Sequence, residues 1–218
     1  MLEPVCLACD SPLPAAAESG LCRDCGRGWP PAPAPAGLPG VAPLLTCWSY
    51  GGTARRLVLR AKEERSSPIL PLLRARLTRR WLLAGLEPGA VVAAPPSRAR
   101  RRQGWHLAEE LAAGLRRASG WPEEIALRRL RERPAQAGLD GRERRLNLRQ
   151  AFGASLHRPP WERGALPQPP ERVWLVDDVV TTGATLRECG RALRALGVKR
   201  VGALSLCRVA PGSSDRRS

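Results

Sequence analysis

The sequence predicts an α/β protein in which a parallel sheet flanked by helices follows a small four-cysteine ribbon. Two patterns carry that reading. Short, unbroken apolar runs alternate with helix-period stretches over residues 44–210, and two CxxC pairs, Cys6/Cys9 and Cys22/Cys25, stand twelve residues apart near the start. Strands buried on both faces read as continuous apolar runs, and intervening helices place such a sheet in the parallel class. With 218 residues, 43% hydrophobic and 26% charged, the chain has room for one main domain and an appendage. Collagen-like, mucin-like and disordered classes are excluded.

Residues 1–29 form the cysteine module. In a cytosol that keeps thiols reduced, two CxxC knuckles read as four thiolates, Cys6, Cys9, Cys22 and Cys25, closing tetrahedrally on a structural Zn2+. A redox pair would want a βαβ setting that is absent here, and disulfides run against the compartment. Large apolar residues are too few around Pro4, Pro12, Pro14, Gly20 and Gly26 to build a core, so the metal supplies folding energy. Four protein ligands leave no position for a reactive water. The module holds two Arg against four acids through residue 47, a poor footprint for DNA, and is expected to brace the fold or dock a partner. Residues 30–43, with Pro30, Pro31, Pro33, Pro35, Pro39 and Pro43, read as a semi-rigid linker. The uncharged stretch from Gly28 to Ala54 contains six prolines and cannot run as a membrane-spanning helix.

The main domain is expected over residues 44–210, with 211–218 as a flexible tail. Residues 44–49 suit a strand, Tyr50-Gly51-Gly52 a turn, and 53–64 a helix. Ile69 to Leu83 places Ile69, Leu70, Leu72, Leu73, Leu77, Trp81 and Leu82 on one helical face, with Arg74, Arg76, Arg79 and Arg80 elsewhere. Val91 to Ala94 is a brief strand stopped by Pro95-Pro96, and a helical pattern resumes at Leu107 after the basic loop Arg98–Arg102. Val173 to Val176 is a strand expected to end at Asp177, ahead of a helix carrying Leu186, Cys189, Leu193 and Leu196. A last strand covers Val201–Leu206.

Ligands of a parallel sheet gather at the carboxyl ends of its strands. That rule places Asp177, Asp178 and the loop Thr181, Thr182, Gly183, Ala184 and Thr185 at the mouth of a site. A small, hydroxylated, glycine-bearing loop opening a helix cradles a phosphate with backbone N–H groups and hydroxyls. The two carboxylates upstream are suited to accept hydrogen bonds from vicinal sugar hydroxyls. Together they describe a ribose 5-phosphate site.

The segment VWLVDDVVTTGATL resembles the phosphoribosyl pyrophosphate (PRPP) signature of type I phosphoribosyltransferases, and the chain from about Cys6 to Cys207 resembles the ComF competence family (ComFC type), which carries a four-cysteine finger ahead of such a domain. Tyr50-Gly51-Gly52 with Arg55 and Lys62 resembles that family's early tyrosine-to-lysine segment. Arg133, Pro134, Gln136 and Leu139, then Arg145, Asn147, Ala151 and Phe152, resemble its second signature. The resemblance implies a type I phosphoribosyltransferase-like fold in which Val92–Ser97 is the pyrophosphate loop, so that Pro96, Ser97 and Arg98 join the PRPP-binding set, with Arg98–Arg102 on a flap above it. Family members typically read Arg-Gly-Phe-Asn-Gln where this chain has Gln103-Gly104-Trp105-His106-Leu107, keeping only the glycine and an aromatic. In a working transferase Mg2+ would accompany PRPP, and Arg98–Arg102 would stabilise the departing pyrophosphate. No residue stands out as a general base; His106 and His157 receive no role, and Lys62 is left out of catalysis.

The formal charge of +16 comes from 36 Lys+Arg against 20 Asp+Glu and favours polyanionic partners. Between Ser97 and Arg149 lie 14 Arg and seven acids, with Trp105 and Trp121 as potential stacking platforms. Arg100, Arg101, Arg102, Arg144 and Arg145 are the candidate nucleic-acid contacts, against the plainer account of a solvated basic face. Three functions follow: a factor handling single-stranded DNA in natural transformation, as the resemblance implies; an active phosphoribosyltransferase of nucleotide salvage; or a zinc-organised scaffold whose pocket senses PRPP. The resemblance further implies a competence-associated helicase as a partner, and a homodimer is an open expectation. Met1–Val5, with Glu3 where a leader would be basic, points to a cytoplasmic protein without a membrane span.

Overall fold

The computed structural model describes residues 4–14, 20–64, 68–96, 101–102, 104–123, 125–130, 151–156 and 168–210. Its centre is a five-stranded sheet of β1 (Ala36–Leu38), β2 (Val41–Ser49), β3 (Ala90–Ala93), β6 (Arg172–Val180) and β7 (Arg200–Arg208), in the order β1-β2-β7-β6-β3. Only β1 runs antiparallel, against β2; the other three pairings are parallel. Five helices accompany it among the described residues: α1 (Arg23–Arg27), α2 (Gly52–Glu63), α3 (Ile69–Leu83), α4 (Leu107–Ser119) and α5 (Ala184–Leu196). A separate antiparallel ribbon pairs β4 (Ile125–Arg129) with β5 (Phe152–Leu156).

The continuous apolar runs are explained by burial on both faces of the sheet. On one side Leu45, Val91, Trp174, Val176, Leu204 and Leu206 pack with Leu57, Leu73, Leu77, Leu111 and Leu115 from α2, α3 and α4. On the other, Leu44, Val92, Val173, Leu175 and Ala203 pack with Leu186 and Leu193 of α5 and with Ile125 and Phe152 of the ribbon. Trp174 faces Gly202 in register on β7, and a Cβ at Gly202 would enter the indole ring. Gly202→Ala is therefore expected to cost about 1–3 kcal/mol through overpacking, read by urea denaturation.

Three expectations change in the structure. The strand expected at 44–49 begins at Val41, and the proline-rich stretch before it supplies the edge strand β1. Pro43 is tolerated because it sits at the register irregularity between the Ala36–Leu44 and Leu38–Val41 pairings, where a missing N–H breaks no regular ladder. The strand expected to end at Asp177 continues to Val180, which puts both aspartates inside β6. The ribbon strands β4 and β5 were not expected at all. They are five residues each, and Arg128 and Arg129 dilute the apolar pattern of β4.

The cysteine module shares the core of the sheet. Cys6, Ala8, Leu21 and Cys25 are buried in the same apolar cluster as Leu57 and Trp174. It rests on α2: the Thr53 hydroxyl donates to the Cys25 carbonyl at 2.8 Å, the Thr53 amide to Gly28 O at 3.1 Å, and Arg60 pairs with Asp10 at 2.7 Å. Among the described residues no helix is long and apolar enough to cross a membrane.

Candidate functional site

The pairing of β3 with β6 stops early, and that difference opens the site. Register runs from Ala90–Val173 to Ala93–Val176, the Ala94 amide adds one bond to Val176 O at 2.8 Å, and the chain then departs at Pro95-Pro96. On its other side β6 stays paired with β7 to Val180–Arg208. The stretch Asp177–Val180 thus has one unpaired edge beyond the end of β3. The chain leaves β3 toward α4 on one face and leaves β6 toward α5 on the other, so this crevice is a topological switch point, where open α/β sheets bind their ligands.

Both aspartates lie at that edge. Asp177 Oδ1 accepts the Asp178 amide at 2.9 Å, and Asp178 Oδ1 accepts the Val179 amide at 2.6 Å. Burial, reinforced by the adjacent Asp178 carboxylate, pushes Asp177 up to about 8. Asp178 is 7% exposed, and its Oδ2 meets Lys62 Nζ at 2.8 Å. Lys62 reaches it from the last turn of α2. Helix α2 starts where β2 ends, packs with α3 on one face of the sheet, and its last turn reaches the end of β6 through this contact. This ion pair is the site feature that the sequence reading set aside; the signal available was Lys62 itself, one of two lysines beside 34 arginines.

Thr181 and Thr182 are exposed beyond β6, and Gly183 takes φ +70° as the N-cap of α5. No side chain caps this helix and no acid occupies its first turn, so its N-terminal dipole and amides face the mouth of the crevice. Thr182 Oγ1 accepts the Ala184 amide at 3.4 Å, and Arg187 Nη1 donates to Thr182 O at 2.8 Å. Gly183 is required twice over: its φ lies in the left-handed region, and a Cβ would approach Leu38 Cδ1 to 2.6 Å.

Pro95 and Pro96 are buried beside a cleft of about 700 Å³ lined also by Arg101, Trp105, His106, Glu109 and Arg128. Ser97, Arg98, Arg100, Arg144, Arg145 and His157 lie outside the described residues. Arg101 and Arg102 are exposed. Trp121 is half-buried in an edge-to-face contact with Trp81, centroids 5.0 Å apart, and Trp105 packs against the core, so each ring is engaged by the fold.

The four sulfurs of Cys6, Cys9, Cys22 and Cys25 lie within 4.8 Å of one another. A tetrahedral thiolate site with metal–sulfur bonds near 2.3 Å places its sulfurs about 3.8 Å apart, so the cluster is compatible with a structural metal. The Cys22 amide donates to Cys6 Sγ at 3.3 Å and Arg56 Nη2 to Cys25 Sγ at 3.4 Å, which suits ligands carrying negative charge. Cys47, Cys189 and Cys207 are different. Burial pushes Cys47 and Cys207 up to about 12 and Cys189 well above the usual thiol range, so they are packing residues.

Residues 102–218 match the phosphoribosyl transferase domain family, a span that contains β6, the TTGAT loop and β7. The chain is 34% identical over 123 residues to competence protein F of Haemophilus influenzae, a match covering 56% of this chain and 51% of the relative. It thus spans about half the length of that relative. Similarity to the DNA utilization protein YhgH of Salmonella typhimurium is 30% identity over 94% of this chain and 96% of the relative. For YhgH of Escherichia coli K12 the figures are 32%, 76% and 71%.

Proposed function

Because the chain belongs to the phosphoribosyl transferase domain family, in the branch of competence protein F and YhgH, we propose that its crevice binds PRPP with Mg2+ and that the protein serves DNA uptake or utilization by handling single-stranded DNA. One observation carries the ligand: the aspartate pair and the uncapped N-terminus of α5 share the unpaired end of β6. Asp177 and Asp178 take the ribose hydroxyls, and Thr181–Thr185 take the 5-phosphate. By the family resemblance Pro96, Ser97 and Arg98 would take the pyrophosphate, with Arg98–Arg102 supplying charge-assisted bonds. Mg2+ neutralises the pyrophosphate when PRPP binds. Zn2+ is the metal best suited to the four thiolates.

An active phosphoribosyltransferase is the alternative, and the intact Asp-Asp and TTGAT geometry favours it. Its chemistry would be departure of pyrophosphate from an oxocarbenium-like ribosyl centre and attack by a base, which the protein promotes by positioning and neutralising charge. Calorimetry with PRPP and Mg2+, joined to pyrophosphate release across a panel of nucleobases, separates the readings. Binding that Asp177→Asn/Asp178→Asn loses is expected in either case. Base-dependent release names an enzyme, binding without release favours a retained sugar-phosphate pocket serving DNA handling, and absence of binding defeats both.

DNA handling is tested on its own. Single-strand affinity should fall as salt rises, in proportion to the phosphates contacted. Replacing Arg100, Arg101, Arg102, Arg144 and Arg145 together is expected to weaken binding at least tenfold and to flatten the salt slope. A salt-independent affinity, or one that the five replacements leave unchanged, would remove the proposed surface.

A further inference from the structure

We propose that Lys62 is a positioning residue of the sugar-phosphate site, its ammonium locking Asp178 in place so that the last turn of α2 and strand β6 present one fixed carboxylate to the ribose. This rests on the ribose-phosphate reading above. The pair closes at 2.8 Å with the two side chains 14% and 10% exposed, whereas the neighbouring Glu63 and Glu64 are exposed. An isolated lysine on a helix would extend to water; this one is spent on a buried carboxylate.

The residue type fits the geometry. Thirty-four of 36 basic residues in the chain are arginine, yet the base that meets Asp178 is lysine. Asp178 Oδ1 accepts the Val179 amide at 2.6 Å and Oδ2 meets Lys62 Nζ at 2.8 Å; each oxygen keeps a lone pair that can accept a sugar hydroxyl. A compact ammonium engages one oxygen, where a guanidinium fork would engage both.

Charge balance explains why the lock matters. Two adjacent buried carboxyls without a cation resist ionising together at neutral pH. Lys62 of α2 acts on both carboxyls, Cys207 of β7 lies near Asp178 and Lys62 with Cys47 of β2 beside it, and Cys189 of α5 lies near Asp177, with Glu188 and Arg129 as its own charged neighbours. The three thiols are neutral near pH 7, raised by burial. Lys62 is therefore the cation in contact with Asp178, and since its charge also lowers Asp177, its loss would free Asp178 to move and push Asp177 further above the usual carboxylate range.

The test compares the full-length wild type with Lys62→Met and with Lys62→Gln, which keeps a hydrogen-bond donor and so protects against a variant that does not fold. Glu63→Gln serves as the helix control. PRPP affinity in Mg2+ is measured from pH 6 to 9. Both Lys62 variants are expected to bind about tenfold more weakly at pH 7, with the half-maximal pH of binding raised by about one unit, the two being equivalent for a single titrating group. Glu63→Gln should match the wild type. Folded Lys62 variants within twofold of the wild type, or a loss equal at every pH, would overturn the proposal while leaving the ribose-phosphate reading standing. A wild type that binds no PRPP at any pH would overturn that reading and this proposal with it.

Discussion

Asp178→Ala is expected to destabilise the folded chain by about 3 kcal/mol at pH 7, because it leaves the Lys62 ammonium buried without a partner. The two side chains meet at 2.8 Å and are 14% and 10% exposed, so solvent screens the pair little. Asp177→Asn should act in the opposite sense. Burial and the Asp178 carboxylate push Asp177 up to about 8, whereas in the unfolded chain an aspartate titrates near about 3.9. The native state then binds a proton that the unfolded state releases. Such a raised carboxyl contributes stability that is complete below about pH 4 and is lost as pH climbs through 8. Wild-type stability should fall across that window, and Asn, which never ionises, should flatten the fall and gain on the wild type toward pH 8. Urea denaturation at pH 5, 6.5 and 8 measures both effects. A wild-type profile no steeper than that of Asp177→Asn would remove the buried-proton account.

Loss of the metal is expected to reach well beyond the first thirty residues. Cys6 and Cys25 are buried in the cluster that holds Leu57, Leu73 and Trp174, and Thr53, Arg56 and Arg60 of α2 bond to the module directly. A metal that binds only the folded form adds its binding energy to stability. Without it the four thiolates repel and the outer side of α2 loses its support. Cys6→Ser or Cys25→Ser should abolish a stoichiometric Zn2+ and lower the melting temperature by about 10 °C or more, the shift that a loss of several kcal/mol produces in a chain of this size. Elemental analysis with thermal melts, with and without chelator, provides the check. A chelator that strips the metal and leaves the melt unmoved would reduce the module to an appendage.

These two effects meet on α2, whose outer side carries the cysteine module and whose last turn carries Lys62. That link could not be read along the chain. The helix pattern over 53–64 was plain from its spacing, but a helix following a strand ordinarily runs back down the sheet. Here it packs on one face of the sheet, and only the contact between Lys62 and Asp178 shows that its last turn reaches the end of β6.

Short-range chemistry accounts for what was legible. The CxxC spacing fixes a four-sulfur cluster because each pair grips from its own tight turn. The run from Val173 to Val176 announces a buried parallel strand, and Thr181–Thr185 announces a helix opening fit for an anion, since both depend on neighbours within a few residues. The α3 helix, Ile69–Leu83, falls where its apolar period places it, but Leu82, expected on the buried face, is exposed near the helix end. Weak elements were less visible: β4 and β5 are short, arginine-bearing and stabilised by each other, and β1 hides among prolines because its pairing with β2 is irregular.

By itself the sequence determined the fold class, the four-cysteine cluster, the aspartate pair and the Thr181–Thr185 loop, all encoded in short segments whose spacing sets their local geometry. The tertiary structure decided where these parts meet. It carried β6 past Asp177 to Val180, ended β3 four residues short of it, and so made the crevice. It also brought Lys62 to Asp178 across more than a hundred residues of chain, because the charge of a buried carboxylate must be answered by whichever cation the packing delivers.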